Sequence, residues 1–331
     1  MISRKIRCYA NTAFYIYQDW LKSQVENDEI KKVFEAKKRQ VKAIKVIYDY
    51  KSSAPGYGEF LNIIFLCRVL ARIGFSVKLL IITGDLREDW SCYSEDAIRE
   101  LIREHLDLVN YLTLNFNVQT TILTQFDKNL FNNTNEHVLF LNKVEKRLPW
   151  YVYSFNLINK LFKRIGYESG KDVLLNHNDL VTKKLKKDIP KSYIALGCRH
   201  SSSWAKNRNL SEQEFLNVYK YLDSKFNNIQ KMVISGGEGC DFFKDYAVKK
   251  GLNLDFSNNY AENYLECGKL VLNSQFFYQY KGGGIANFAI FSNLAYEIRC
   301  NPVHERYWKK NMLTVWQRKS QVFTTPNRIS D

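Results

Sequence analysis

Between Phe276 and Arg299 the chain reads FFYQYKGGGIANFAIFSNLAYEIR. An apolar aromatic run stops at three consecutive glycines, Gly282, Gly283 and Gly284. A short stretch with helical spacing follows, and a second apolar run spans Leu294 to Ile298. Strand, glycine turn, helix start and next strand is the repeating unit of a doubly wound parallel α/β domain. Glycine lets the backbone approach a ligand closely, and the unpaired N–H groups of a helix's first turn point toward it. A phosphate group is therefore the first ligand to consider, the alternative being a tight turn in which glycine only relieves crowding. If the loop holds phosphate, a side chain at Gly284 blocks the anion while the chain stays folded.

Two further units of this kind are legible. Ala43 to Tyr50 is a strand, SSAPGYGEF a turn carrying Gly56 and Gly58, and Glu59 to Ile73 a helix. In that helix Phe60, Ile63, Ile64, Cys67, Leu70 and Ala71 share one apolar face; Gly74 stops it and Phe75 to Thr83 is the next strand. In the second half Tyr193 to Cys198 is a strand and Glu212 to Phe226 a helix. Lys231 to Ser235 is a strand, Gly236, Gly237 and Gly239 a loop, and Asp241 to Lys250 a helix. The expected fold is α/β, with two domains facing a cleft: a helical extension over 1–42, one domain over 43–185 and a second over 186–331. The polar, lysine-rich stretch from Asn178 to Lys191 is the linker.

The length of 331 residues suits two domains with cores of their own. No apolar run reaches membrane-spanning length, and the N-terminus lacks the pattern of a secretory signal. The seven cysteines show no metal-binding spacing and read as reduced core residues, which points to the cytoplasm. The net charge of +15 favours anionic partners. No nucleic-acid-binding motif is present, so nucleic acid is a weak candidate. In residues 1–42 an apolar stripe (Phe14, Tyr17, Leu21, Val25, Ile30, Val33, Phe34) opposes a lysine-rich face. That stripe suits either peripheral contact with an anionic membrane or packing on the first domain.

The two glycine motifs and their order resemble those of the GT-B glycosyltransferases, in particular the ADP-heptose lipopolysaccharide type. That type opens with a glycine loop followed by an acidic residue and leucine, beside Gly56-Tyr57-Gly58-Glu59-Phe60-Leu61 here. It also carries a late Asp-Ser-Gly-x-x-His-x-Ala element at the donor phosphates, beside Gly282-Gly283-Gly284-Ile285-Ala286-Asn287-Phe288-Ala289 here, with Gly282 in place of the aspartate and Asn287 in place of the histidine. Fucosyltransferase-like relatives place an arginine just after the first strand of the second domain, where this chain has Arg199.

The resemblance implies a GT-B-like pair of Rossmann-like domains. The implied activity is transfer of a sugar from a nucleotide sugar to a glycan or lipid-linked acceptor in cell-surface polysaccharide or lipopolysaccharide synthesis. Arg199 follows an apolar strand directly, so its fork of donors suits a diphosphate at the sheet's C-terminal edge. Arg208, Ser201, Ser202 and Ser203 are further donors there, and Lys281 is placed to neutralise the leaving group. Gly236 and Gly237 are a second glycine loop. Tyr278 and Tyr280 are candidates for a base or sugar pocket, and His200 for a base or a structural residue. Glu59 at its helix start is the candidate general base for an inverting transfer, with Asp85 and Asp89 next in line. No metal-binding motif is present and no cofactor is implied beyond the nucleotide-sugar co-substrate. Two alternatives stand beside this reading: a sugar-nucleotide epimerase of the same architecture, and a non-catalytic basic protein that binds nucleic acid or a membrane surface.

Overall fold

The molecule is described from a computed structural model over residues 27–51, 56–85, 94–125, 136–140, 155–166, 171–180, 185–202, 209–281 and 283–299. The first half comprises helix α1 (27–38), β1 (Ala43–Asp49), α2 (Tyr57–Ile73), β2 (Ser76–Ile82), α3 (Glu95–Leu112), β3 (Val118–Leu123), β4 (Glu136–Phe140) and α4 (Phe155–Ile165). The second comprises β5 (Tyr193–Gly197), α5 (Glu212–Lys225), β6 (Gln230–Ile234), α6 (Gly237–Lys250), β7 (Leu254–Phe256), α7 (Tyr264–Asn273), β8 (Phe276–Tyr280), α8 (Ala286–Ile290) and β9 (Tyr296–Arg299).

The strands form two sheets, ordered β3-β2-β1-β4 and β7-β6-β5-β8-β9. Every pairing is parallel, with Val46 beside Leu79 in the first sheet and Ala195 beside Met232 and Phe277 in the second. Both orders start in the middle of the sheet, step outward, and then reverse to the other side. Each sheet therefore has a switch point, between β1 and β4 in one and between β5 and β8 in the other, where loops splay apart at the C-terminal edge.

Helix α2 departs from the expected one-sided face. Thirteen of its seventeen residues are buried, so it is apolar nearly all round. The reason is its location: one side packs on the first sheet, the other on α8 and the segment that follows it in the second half. Phe65 stacks on Phe291 with ring centres 4.2 Å apart. One continuous core consequently runs from Val46 and Tyr48 through Phe60, Ile64 and Leu66 to Ala195, Phe277 and Phe288. The outer face of the second sheet has a separate core with α5 and α6, built on Ile194, Leu196, Phe215, Val233, Phe243 and Tyr278.

Within the shared core lies Arg68, only 1% exposed. Its guanidinium donates to the carbonyls of Leu112 (2.8 Å), Leu174 (3.0 Å) and Asp172 (3.2 Å) and to the Asp179 carboxylate (3.2 Å). Burial pulls its pKa below the ordinary arginine value and the charge of Asp179 opposes that shift. One side chain on α2 thus ties together the end of α3 and the segment 171–180. The start of the lysine-rich stretch is docked as well, since Asp179 holds Arg68 and Leu180 is buried.

Of the N-terminal extension, α1 packs Ile30, Val33 and Ala36 into the shared core, and Arg164 of α4 lies over the Phe34 ring. The aromatic stripe of residues 1–26 lies outside the described residues. Among the described residues no helix is long and apolar enough to cross a membrane. Cys67, Cys198 and Cys240 are buried free thiols and Cys267 is partly buried. Cys8, Cys92 and Cys300 fall outside the described residues.

Candidate functional site

The switch points of the two sheets meet. After β1 the chain turns through Gly56 into α2, and after β8 it turns through Gly283 and Gly284 into α8. These turns touch backbone to backbone. A Cβ on Gly284 would stand 2.7 Å from the Gly58 nitrogen and 2.9 Å from its Cα, and a Cβ on Gly58 would stand 2.8 Å from the Gly284 Cα. Asn287 is buried one turn later. Its amide donates to the Gly58 carbonyl (2.6 Å) and the Asn62 side-chain oxygen (3.1 Å). Tyr57 of α2 stacks on Tyr264 of α7, ring centres 4.2 Å apart.

This geometry bears on two expectations. First, the helix after the glycine run is short, as its spacing suggested: five residues, Ala286–Ile290, without a side-chain cap. It has little of the aligned dipole that a long helix would bring to a phosphate. Second, a side chain at Gly284 meets the other half's backbone before it meets any ligand. Gly284→Val is therefore expected to destabilise the fold itself, by about 1–3 kcal/mol as for other overpacked sites. Gly237, with open space beyond its Cα, is expected to accept alanine without loss. Urea denaturation of the two variants checks this, and equal stability would deny the contact.

Glu59 occupies the third position of α2 and is partly buried. Its carboxylate lies over the N-cap, so a Cβ on Gly56 would collide with it. Tyr264 places its hydroxyl nearby, buried and without a hydrogen-bond partner. Burial first, and then the charges of Glu59, Cys267 and Glu104, lift the Tyr264 pKa well above the usual phenol value, so it stays a donor. The Tyr57 hydroxyl donates to Glu104. Behind this group His105 is fully buried, stacked on Phe60 at 4.0 Å and paired through Nδ1 with the Tyr50 hydroxyl at 2.6 Å. Burial drops its pKa to about 3, so it is neutral and packs as an aromatic ring.

The other side of the site is the loop after β5. Arg199 leaves the strand end and its carbonyl accepts from Leu210 (3.1 Å). The Ser201 nitrogen donates to Asn209 (3.1 Å) and the Ser202 nitrogen to Glu238 of α6 (2.9 Å). His200 stacks on Phe242 with ring centres 3.9 Å apart. Lys281, placed by sequence on the leaving group, donates to Glu214 (2.8 Å) and to the Asn209 carbonyl (3.2 Å). Its backbone is left-handed at φ 64°, a conformation that costs a non-glycine residue on the order of 1 kcal/mol. The ion pair with Glu214 thus anchors the entrance to the glycine turn.

The remaining sequence candidates are placed as follows. Gly236 and Gly237 begin α6 and have open space around them; Gly237 and Gly239 belong to the helix itself. Asp85 is exposed and paired with Lys51 (2.7 Å) at the C-terminal edge of the first sheet. Tyr278 is buried in the outer core and Tyr280 packs against that core. Asp89, Ser203, Arg208 and Gly282 fall outside the described residues. Asn62, Glu104, His105 and Tyr264 gather around Tyr57 and Asn287, and Gln279 lies against Gly283, but none had been marked in the sequence. Among the described residues no group of three or more His, Cys, Asp or Glu side chains could hold a metal ion.

No protein-family model matches the chain, and no curated protein matches it. Among solved structures, the UDP-GlcNAc 2-epimerase of Methanocaldococcus jannaschii aligns at 8% identity over 86% of this chain and 89% of its own, with a TM-score of 0.35. The S. aureus MnaA–UDP structure aligns at 12% identity over 78% of each chain with a TM-score of 0.32. The glycotransferase of kitacinnamycin aligns at 10% identity over 87% of each, with a TM-score of 0.33. Similarity this low leaves the fold to be argued from the strand orders themselves, which give two parallel α/β halves whose switch points meet.

Proposed function

We propose that this protein is a glycosyltransferase that binds a nucleotide-diphosphate sugar at the second half's switch point and passes the sugar to a glycan or lipid-linked acceptor. The observation that carries the reading is the meeting of the two switch points. Loops at such points are where open parallel sheets bind ligands. Here the loop carrying Arg199 and the Gly283–Gly284 turn flank one switch point, and Gly56–Glu59 is delivered to it from the other half. A donor on one half and an acceptor approached from the other is the division of labour a transfer reaction needs. In this scheme the Arg199 guanidinium offsets the charge of the diphosphate as the bond from its oxygen to the anomeric carbon breaks. Glu59 takes the proton of the acceptor hydroxyl as the new glycosidic bond forms.

The test begins with thermal-shift screening of the protein against UDP, GDP, ADP, CMP and dTDP, because a ligand bound only by the folded state raises the melting temperature. For the nucleotide that binds, Arg199→Ala should weaken affinity at least about tenfold, the scale of one lost charged contact to phosphate, and Arg199→Lys should restore only part of it. Unchanged affinity in both variants removes Arg199 from the site. Incubation of the matching nucleotide sugar with and without candidate acceptors then decides the reaction. Acceptor-dependent release of nucleoside diphosphate supports transfer, whereas a changed sugar configuration without acceptor identifies an epimerase.

A further inference from the structure

Two buried polar groups flank the Gly283–Gly284 turn, and neither has a hydrogen-bond partner. Gln279, on β8, is 1% exposed and its side-chain carbonyl oxygen is unpaired. Its amide lies between the end of β5 and the turn. A Cβ on Gly197 would stand 3.2 Å from the Gln279 Oε1, and one on Gly283 would stand 2.7 Å from Nε2. On the other flank the unpaired Tyr264 hydroxyl is 3.0 Å from where a Gly284 Cβ would be. Leaving a buried donor or acceptor unpaired costs about 1–3 kcal/mol, and native structures hold few such groups. Two of them lie on either side of the Gly283–Gly284 backbone, where one ligand could satisfy both.

The chemistry narrows what that ligand is. An amide offers a donor NH2 group and an acceptor oxygen whichever way it is turned, and a phenol hydroxyl can serve as either. A phosphodiester offers acceptors only, and the carboxylates of Glu59 and Glu104, close enough to help hold the Tyr264 phenol un-ionised, would repel it. A polyol offers donor and acceptor at every hydroxyl and carries no charge. Resting on the donor-site reading above, we propose that Gln279 and Tyr264 form the sugar-recognising end of that site, hydrogen-bonding the hydroxyls of the sugar while the diphosphate lies toward Arg199. Both groups are covered in the present arrangement, so a sugar reaches them only where the Gly284 backbone and the Gly58 backbone it touches draw apart.

The experiment compares wild type with Gln279→Met and Tyr264→Phe, each of which keeps the shape and removes the hydrogen-bonding atom. Calorimetry measures affinity for UDP and UDP-glucose, or for the diphosphate and sugar conjugate of whichever base the wild type binds. Thermal melting without ligand is measured in parallel. Each variant should melt no lower than wild type, because the removed atom had no partner. Each should bind the nucleoside diphosphate as wild type does and the nucleotide sugar about tenfold more weakly, the scale of one lost hydrogen bond. Equal loss for both ligands, or no loss for either, overturns the subsite. A lower melting temperature with both affinities intact makes Gln279 a strut for the turn and also overturns it. Should Gln279→Met fail to fold, Tyr264→Phe, which removes a single oxygen, decides alone. A wild type that binds no nucleotide removes the donor-site reading and the subsite with it, whereas binding that both variants leave untouched removes the subsite only.

Discussion

Glu59→Gln should leave nucleoside diphosphate affinity at the wild-type level and lower sugar transfer by about a hundredfold or more, the lower end of what a lost general base costs. The expectation separates two roles that the structure superimposes. Glu59 stands at the third position of α2 with its carboxylate folded over the N-cap, where glutamate and glutamine serve equally as helix-start residues. It also stands beside the seam where the second half's glycine turn touches Gly58. Glutamine preserves the first role and cannot accept the acceptor's proton. A melting temperature near wild type together with a collapsed rate therefore identifies the base. If transfer continues at the normal rate, Glu59 is a helix-start residue only, and Asp85 and Asp89 are the carboxylates to neutralise next. Neutralising all three without effect would remove the inverting mechanism.

Arg68→Met should be the most damaging single change to stability, about 3–5 kcal/mol by analogy with other buried charges that lose a partner. Methionine fills much of the volume and leaves the Asp179 carboxylate and the carbonyls of Leu112, Asp172 and Leu174 short of a donor inside the core. Arg68→Lys should recover only part of the loss, since one ammonium cannot reproduce a planar fork that reaches four oxygens. Urea denaturation measures both. A methionine variant within about 0.5 kcal/mol of wild type, the range of ordinary surface changes, would mean that the arginine's cost of burial nearly cancels its contacts.

The sheets were legible in the sequence because buried parallel strands are short apolar runs bounded by turn residues. AIKVIYD, SVKLLII and YIALG each fall on an observed strand. Helix α7 carried a weaker signal, ten residues of mixed character. Asn263, whose side chain caps the Glu266 nitrogen, was the local mark that could have revealed it. The glycines of the site were legible as turns, but what they touch was not. Gly58 and Gly284 meet through the packing of two halves, and no local pattern encodes a contact of that range. The same holds for Tyr264, which stacks on Tyr57 across the seam, while His105 and Gln279 have neighbours within their own halves but far away in sequence. Lys281 shows another limit: its type suggested a phosphate ligand, and the pairing of its charge with Glu214, far away in sequence, had no local mark.

The contact between Gly58 and Gly284 has a consequence for descent. Neither residue can gain even a methyl group unless the other half of the molecule retreats, so a substitution at one is expected to be tolerated only with a change at the other. The expectation for diverged relatives is that this pair stays glycine or changes in concert. A relative too diverged to be found by overall identity would then be recognisable by a glycine at the start of α2, matched by a glycine between β8 and α8.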